Sequence, residues 1–152
     1  MNDHERRRDL AAMLHPVVRA LIAAELPVLA THGLTMWGYV VLNALNDAPE
    51  SSQSALAEKI GADKTRLIGT LDALQEAGLI SREPDPSDRR ARILSITPAG
   101  RRARDGAQRD IQGNEERLLA SLTAGERRAF LRAADLLSSL PAAEILAGPA
   151  GG

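Results

Sequence analysis

The sequence predicts a mainly α-helical chain with one small β-hairpin, and three observations predict it. Apolar residues recur at helical spacing toward both ends, only Trp37, Tyr39 and Phe130 are aromatic, and residues 79–97 alone combine strand-like runs with a dense turn. A chain of 152 residues with 44% apolar content fits one globular domain. So few aromatics leave an aliphatic, alanine-rich core, which favours helix packing.

Taken in order, Leu10, Leu14, Val17, Val18, Leu21, Ile22 and Leu26 repeat at helical spacing, and Pro16 and Pro27 are each expected to start, kink or interrupt a helix. Ser52-Gln-Ser-Ala-Leu-Ala-Glu-Lys-Ile-Gly61 reads as a short helix: Ser52 caps it, Leu56 and Ile60 share a face, and Gly61 ends it. A second helix follows at once, with Asp63 as N-cap, Leu67, Leu71 and Leu74 as a buried stripe, and Gly78 at its close. The runs Leu79 to Glu83 and Arg92 to Thr97 then read as strands. Pro84, Asp85, Pro86, Ser87 and Asp88 between them are turn residues, expected not to continue the ladder. Thr97 and Pro98 open a long helix carrying Ala103, Ala107, Ile111, Leu118 and Leu122. Thr123-Ala-Gly-Glu126 is a capping box for a last helix, whose Phe130, Leu131, Ala134 and Leu137 form an apolar face ended by Pro141.

Helix, tight turn, helix and hairpin make a winged helix-turn-helix. At about 100° per residue, Thr65, Arg66, Gly69 and Ala73 fall opposite the leucine stripe, a small and nearly flat face that can approach the floor of a major groove. Arg89 and Arg90 at the hairpin tip suit phosphate or a narrow minor groove. Either feature alone has a plainer explanation, since an arginine run is usually a solvated face and Arg66 an ordinary surface residue. The ordered constellation favours a nucleic-acid partner.

The net charge of −1 and pI near 6.3 argue at first against such a partner. Charge is segregated, however. Between Arg82 and Arg104 seven arginines (82, 89, 90, 92, 101, 102 and 104) face three acids (83, 85 and 88), a local +4 against −5 elsewhere. That is enough for salt-sensitive phosphate binding. With no cysteine, disulfides, thiolate metal sites and cysteine-based peroxide sensing are excluded. His4, His15 and His32 lack the i, i+4 spacing of a zinc-hydrolase helix, no serine sits in a G-x-S-x-G turn, and no glycine-rich phosphate loop follows a strand, so an enzyme is disfavoured. No catalytic residue, metal or cofactor is expected. No apolar run is expected to reach the length of a membrane span, and the first residues lack the apolar core of a secretion signal, which points to the cytoplasm.

The segment from Leu34 to Arg101 resembles the MarR family of winged helix-turn-helix transcription regulators. The resemblance is carried by Gly33-Leu34-Thr35, Ser54-Ala-Leu-Ala-Glu-Lys-Ile-Gly61, Gly78-Leu79-Ile80, the wing Asp85-Pro-Ser-Asp88-Arg89-Arg90, and Leu94-Ser-Ile-Thr97-Pro-Ala-Gly100. Many relatives carry a polar or basic residue where this chain has Gly69, and an apolar one where it has Thr70. The resemblance therefore supports DNA binding better than any particular operator.

It implies a winged segment over 33–100, dimerisation helices over 5–31 and 101–146, and a disordered tail over 147–152, all within one domain. Candidate DNA contacts are Ser52, Gln53 and Ser54 before and within the first helix, Lys64, Thr65, Arg66 and Gly69 on the second, and Asp88, Arg89 and Arg90 on the wing, where Asp88 would orient Arg90. The apolar arcs of the end helices are wider than the winged segment can cover. An intramolecular bundle would hide them, but the resemblance implies interlocking helices of a homodimer, which sets two recognition helices on a pseudo-palindromic site. It also implies a small aromatic or anionic effector near His15, Arg19, Trp37, Tyr39 and Val41, although Trp37 is equally well explained by packing beneath the first helix. The expected function is a ligand-responsive repressor. The alternative is a winged helix used for protein contacts without specific DNA binding.

Overall fold

The computed structural model describes residues 7–141 together with 143 and 145. Their order is α1 (Leu10–Thr31), α2 (Met36–Asp47), α3 (Gln53–Ile60), α4 (Lys64–Glu76), β1 (Ile80–Asp85), β2 (Asp88–Ile96), α5 (Pro98–Leu119) and α6 (Ala124–Ser138). Mainly helical architecture with one antiparallel hairpin is thus what the chain adopts. The chain forms two compact units divided after Gly113, and α5 runs from the first into the second. The expected tail over 147–152, and residues 5, 6, 142, 144 and 146 of the expected end helices, lie outside the described residues.

The core of the first unit is aliphatic, as the scarcity of aromatics requires. Leu29 of α1, Val41, Leu42 and Leu45 of α2, Leu56 of α3, Leu67 and Leu71 of α4 and Leu94 of β2 are buried in one cluster. Local signals set the helices around it. Thr35 caps α2 by accepting the Gly38 N–H at 3.0 Å, and Ser52 caps α3 by accepting the Ala55 N–H at 3.0 Å. Gly61 (φ 66°) and Gly78 (φ 74°) turn the chain through the left-handed region that side chains disfavour. Both turns close alike: Ala62 N–H reaches Ala57 O, and Leu79 N–H reaches Leu74 O, satisfying carbonyls at the ends of α3 and α4.

Three expectations are corrected. First, α1 is one continuous helix through Pro16 and Pro27, so neither proline starts or interrupts a helix there. Each proline removes one ladder donor, but the carbonyls left over, on Ala12 and Ala23, belong to exposed residues where water can bond them. Because the helix is not broken, its apolar residues join into 22 residues with a mean hydropathy of 1.5 over the best 18. By length and composition alone, α1 does reach the length of a membrane span.

Second, the ladder continues past the point where Pro84 was expected to end it. Ile80 pairs with Ile96 and the register holds to Pro84 opposite Arg92; it then shifts so that Asp85 pairs with Asp88. Proline is tolerated on an edge strand and at a bulge, and both strands of a two-stranded sheet are edges. The shift leaves Arg89, Arg90 and Ala91 between the two registers, so the extra length of β2 is spent on its arginines.

Third, α5 ends at Leu119, which is buried, whereas Leu118 is exposed and Leu122 lies in the turn beyond. The start of α5 is as expected: Thr97 Oγ1 accepts the Gly100 N–H at 3.0 Å and donates to Gly78 O at 2.7 Å. That hydroxyl ties α5 to the end of α4. In the second unit the capping box is complete, with Glu126 Oε2 accepting the Thr123 N–H at 2.8 Å and Thr123 Oγ1 the Glu126 N–H at 3.2 Å.

Candidate nucleic-acid interface

The N-terminal end of α4 is prepared to meet an anion. Asp63 caps it through the Thr65 N–H at 3.3 Å, and Lys64 and Arg66 add side-chain charge to the positive end of the helix dipole. Leu67, Leu71 and Leu74 anchor the opposite side in the core, so Lys64, Thr65, Arg66, Gly69 and Ala73 are all exposed. Space around Gly69 is open, with no atom within 4 Å of where a Cβ would stand. Arg66 and Gly69 also border a cleft of about 380 Å³ whose far wall is Gly33, Leu34, Thr35 and Gly38.

The wing is built by hydrogen bonds local to its turn. Asp85 Oδ1 accepts both the Ser87 N–H at 2.8 Å and the Ser87 hydroxyl at 2.7 Å. The Ser87 hydroxyl, then its N–H, hold the Asp85 carboxyl below the usual carboxylate range. Asp88 Oδ1 accepts the backbone N–H of Arg90 at 2.9 Å. It therefore fixes the chain at Arg90, where the resemblance implied a grip on the guanidinium.

Seven arginines were counted toward a positive surface, and the structure separates them. Arg82 is committed to Asp72, Arg104 to Asp105 and Asn43, and Arg101 to Asn46. Arg89, Arg90, Arg92 and Arg102 are exposed and meet no carboxylate among the described residues. Three of these four lie on the wing, and Arg101 on α5 keeps its charge as well, because Asn46 is neutral.

Of the other expected contacts, Ser52 uses its hydroxyl as a cap, Ser54 is exposed, and Gln53 borders a polar cleft of about 410 Å³ with Gln75, Arg82 and Arg92. This cleft places the start of α3, the flank of α4 and the wing side by side. The expected effector residues are not gathered in one cavity: His15 and Arg19 line an open depression with Pro16, Ala20 and Ala23, Trp37 and Tyr39 are half-buried on α2, and Val41 is 0% exposed in the core.

Sequence reasoning missed three residues. Arg82 links wing to helix through partners seven and ten residues away, a pairing that no local pattern announces. Glu50 forms a one-residue bridge to Leu94, with N–H···O bonds of 3.0 and 2.8 Å, and its carboxylate pairs with Lys59 at 3.1 Å. It fastens β2 to the turn before α3. Ile68 is 46% exposed on α4 among the candidate contacts; an apolar residue beside Leu67 reads as core until the helix is seen packed.

Helix, turn, helix and basic hairpin in this arrangement define a winged helix-turn-helix protein. The MarR family model matches residues 34–91 of this chain. It is 32% identical over 100 residues to a putative transcriptional regulatory protein for the hcr operon of Thauera aromatica, a match spanning 66% of this chain and 60% of that one. The chain therefore matches less than two thirds of that relative's length. Among solved structures it resembles the Mycobacterium tuberculosis MarR family protein Rv2887 in complex with DNA (TM-score 0.73, 26% identity, 88% of this chain and 100% of that one). It also resembles CouR of Rhodococcus jostii RHA1 bound to p-coumaroyl-CoA (TM-score 0.70, 28% identity, 95% of each chain).

Proposed function

We propose that this protein is a sequence-specific DNA-binding transcription regulator, acting as a homodimeric, ligand-responsive repressor on a pseudo-palindromic operator. One observation carries the reading: Gln75 on the flank of α4 and the unpaired Arg92 of the wing line one polar cleft, so the helix proposed for the major groove and the basic finger stand side by side. The DNA complex of Rv2887 supports it. Ser52, Gln53, Ser54, Lys64, Thr65, Arg66, Gly69, Asp88, Arg89 and Arg90 are its proposed contacts or positioning groups.

The dimer is supported by apolar surface that a second copy would cover. Leu10, Leu14, Val18, Ile22 and Leu26 recur every four residues along α1 and all are exposed, as are Phe130, Leu131 and Leu137 on α6. Such a stripe also accounts for the apolar length of α1, with the regulator placed in the cytoplasm. The whole chain would then serve as one functional domain. A small aromatic or anionic effector is supported by the p-coumaroyl-CoA held by CouR, and His15 and Arg19 are the polar partners we assign to it, with Trp37, Tyr39 and Val41 on the apolar side. It would act by binding the DNA-incompetent spacing of the recognition helices more tightly than the competent one.

The test is gel retardation of DNA from the protein's own promoter region, with sedimentation of the free protein. A retarded palindromic fragment and a sedimenting dimer are expected. A folded protein that retards no fragment from a genomic selection overturns the reading in favour of protein contacts.

A further inference from the structure

We infer that Ile68 is a specificity-determining residue, packing its side chain against the 5-methyl group of a thymine in the major groove. The inference rests on the DNA-binding reading above and deepens it. α4 carries four large aliphatic side chains; Leu67, Leu71 and Leu74 are 2%, 0% and 6% exposed, whereas Ile68 is 46% exposed. Every other exposed large apolar residue of the described chain lies at or before Leu26 or at or after Leu118, on or near the terminal helices. Ile68 stands alone on the winged segment.

Helix propensity does not account for it, and packing accounts for it only in part. A β-branched residue is a poorer helix former than the lysine, arginine or glutamate that suits an exposed helical position, and nearly half of the residue's surface stays open to solvent. Its location supplies a reason. Ile68 lies four residues before Asp72, on the same flank of the helix, and Asp72 holds Arg82 at the base of the wing. It is therefore on the wing side, one turn nearer the end that a recognition helix inserts. Side chains on a helix lean toward its N-terminus, which carries the Ile68 methyl groups further that way.

Next to it, Gly69 presents no side chain and has open space around it. The backbone can sit low in the groove there, within reach of base edges. The groove offers one apolar group to such a side chain, the thymine methyl.

The test uses the full-length protein and a bound DNA fragment in which each thymine of the site is replaced in turn by deoxyuridine, which lacks only that methyl. At one position per half-site, wild-type affinity is expected to fall about four-fold, the worth of one buried methyl group. Ile68→Ala should bind the unmodified site more weakly and be indifferent to uracil at that position, while Ile68→Val keeps part of the sensitivity. Uniform tolerance of uracil by wild-type protein, or equal sensitivity in wild type and Ile68→Ala, overturns the inference and leaves DNA binding intact. Absence of any bound fragment instead removes the DNA-binding reading itself. Thermal unfolding of Ile68→Ala close to wild type is expected, because so exposed a side chain contributes little to the core; a large loss of stability would assign Ile68 to packing and overturn the inference.

Discussion

Arg82 of β1 and Asp72 of α4 form an ion pair of 2.5 Å, and the same guanidinium donates through Nε to Gln75 Oε1 at 2.5 Å. One arginine thus grips two positions on one flank of α4, with the plane of its fork setting the angle between helix and wing. A lysine has no such fork.

Arg82→Ala is expected to lower stability by about 1 kcal/mol, since the pair is partly solvated on the Asp72 side, and to weaken DNA binding by more than that loss explains. Arg82→Lys should restore charge but not alignment. Thermal melts compared with gel retardation separate the two effects; parallel losses in both would reduce Arg82 to a structural residue.

Wing and helix arginines should fail differently. Arg90→Ala is expected to weaken binding to many sequences alike and to reduce the slope of log affinity against log salt by about 1, as one lost phosphate or groove contact does. Arg66→Ala should instead cost about 1–3 kcal/mol of discrimination at one base position. Asp88→Ala should act as a milder Arg90→Ala, because it frees the chain at Arg90 and leaves the guanidinium in place. Salt titrations on a panel of single-base variants decide among these.

Much of the fold was legible because its signals are local. Ser52, Asp63 and Thr123 cap helices through N–H groups two or three residues away, and the spacing of Leu67, Leu71 and Leu74 states which side of α4 is buried. The misreadings came where a residue's role depends on distant partners. Pro84 stays in the ladder because the sheet has only edges, the α1 prolines are tolerated because water can reach the carbonyls they free, and Glu50 pairs with Leu94 across 44 positions. Asp88 meets Arg90 through its backbone N–H and not through the guanidinium. The free charge of the interface was overestimated for the same reason, since Arg82 and Arg104 are spent on Asp72 and Asp105.

The wing turn should respond to acid in a defined window. Asp85 is held below its ordinary value of 3.8 by the Ser87 hydroxyl and N–H, so its carboxylate stabilises the turn above that value, and this contribution is lost as pH falls through the lower folded value. An NMR titration following the Asp85 carboxyl should give a midpoint below 3.8, and Ser87→Ala should move it upward by removing the larger of the two bonds. A midpoint at or above 3.8 in wild type would show that the turn does not hold the carboxylate.

Gly100, in the first turn of α5, sits where a Cβ would land on the Leu79 carbonyl oxygen and come within 2.8 Å of Ile96 Cγ1. The obstruction is backbone and cannot rotate away. Gly100→Ala should therefore destabilise the fold by about 1–3 kcal/mol despite adding a better helix former. Denaturant unfolding measures this, and an unchanged midpoint would mean that α5 shifts freely on the hairpin.

Gly69 makes the opposite case, and the two glycines test each other. It lies inside α4, where glycine costs roughly 0.5–1 kcal/mol relative to alanine, and nothing stands within 4 Å of the missing Cβ. The fold thus gains nothing from it. Gly69→Ala should raise stability by about that amount, and if the helix backbone approaches base edges at this point, the added methyl should weaken operator binding. Stability and affinity then move in opposite directions, which a merely structural residue cannot produce. Unfolding in denaturant and retardation of the same DNA fragment, run side by side on wild type and variant, give both readings; a variant that is more stable and binds at least as tightly places Gly69 outside the contact.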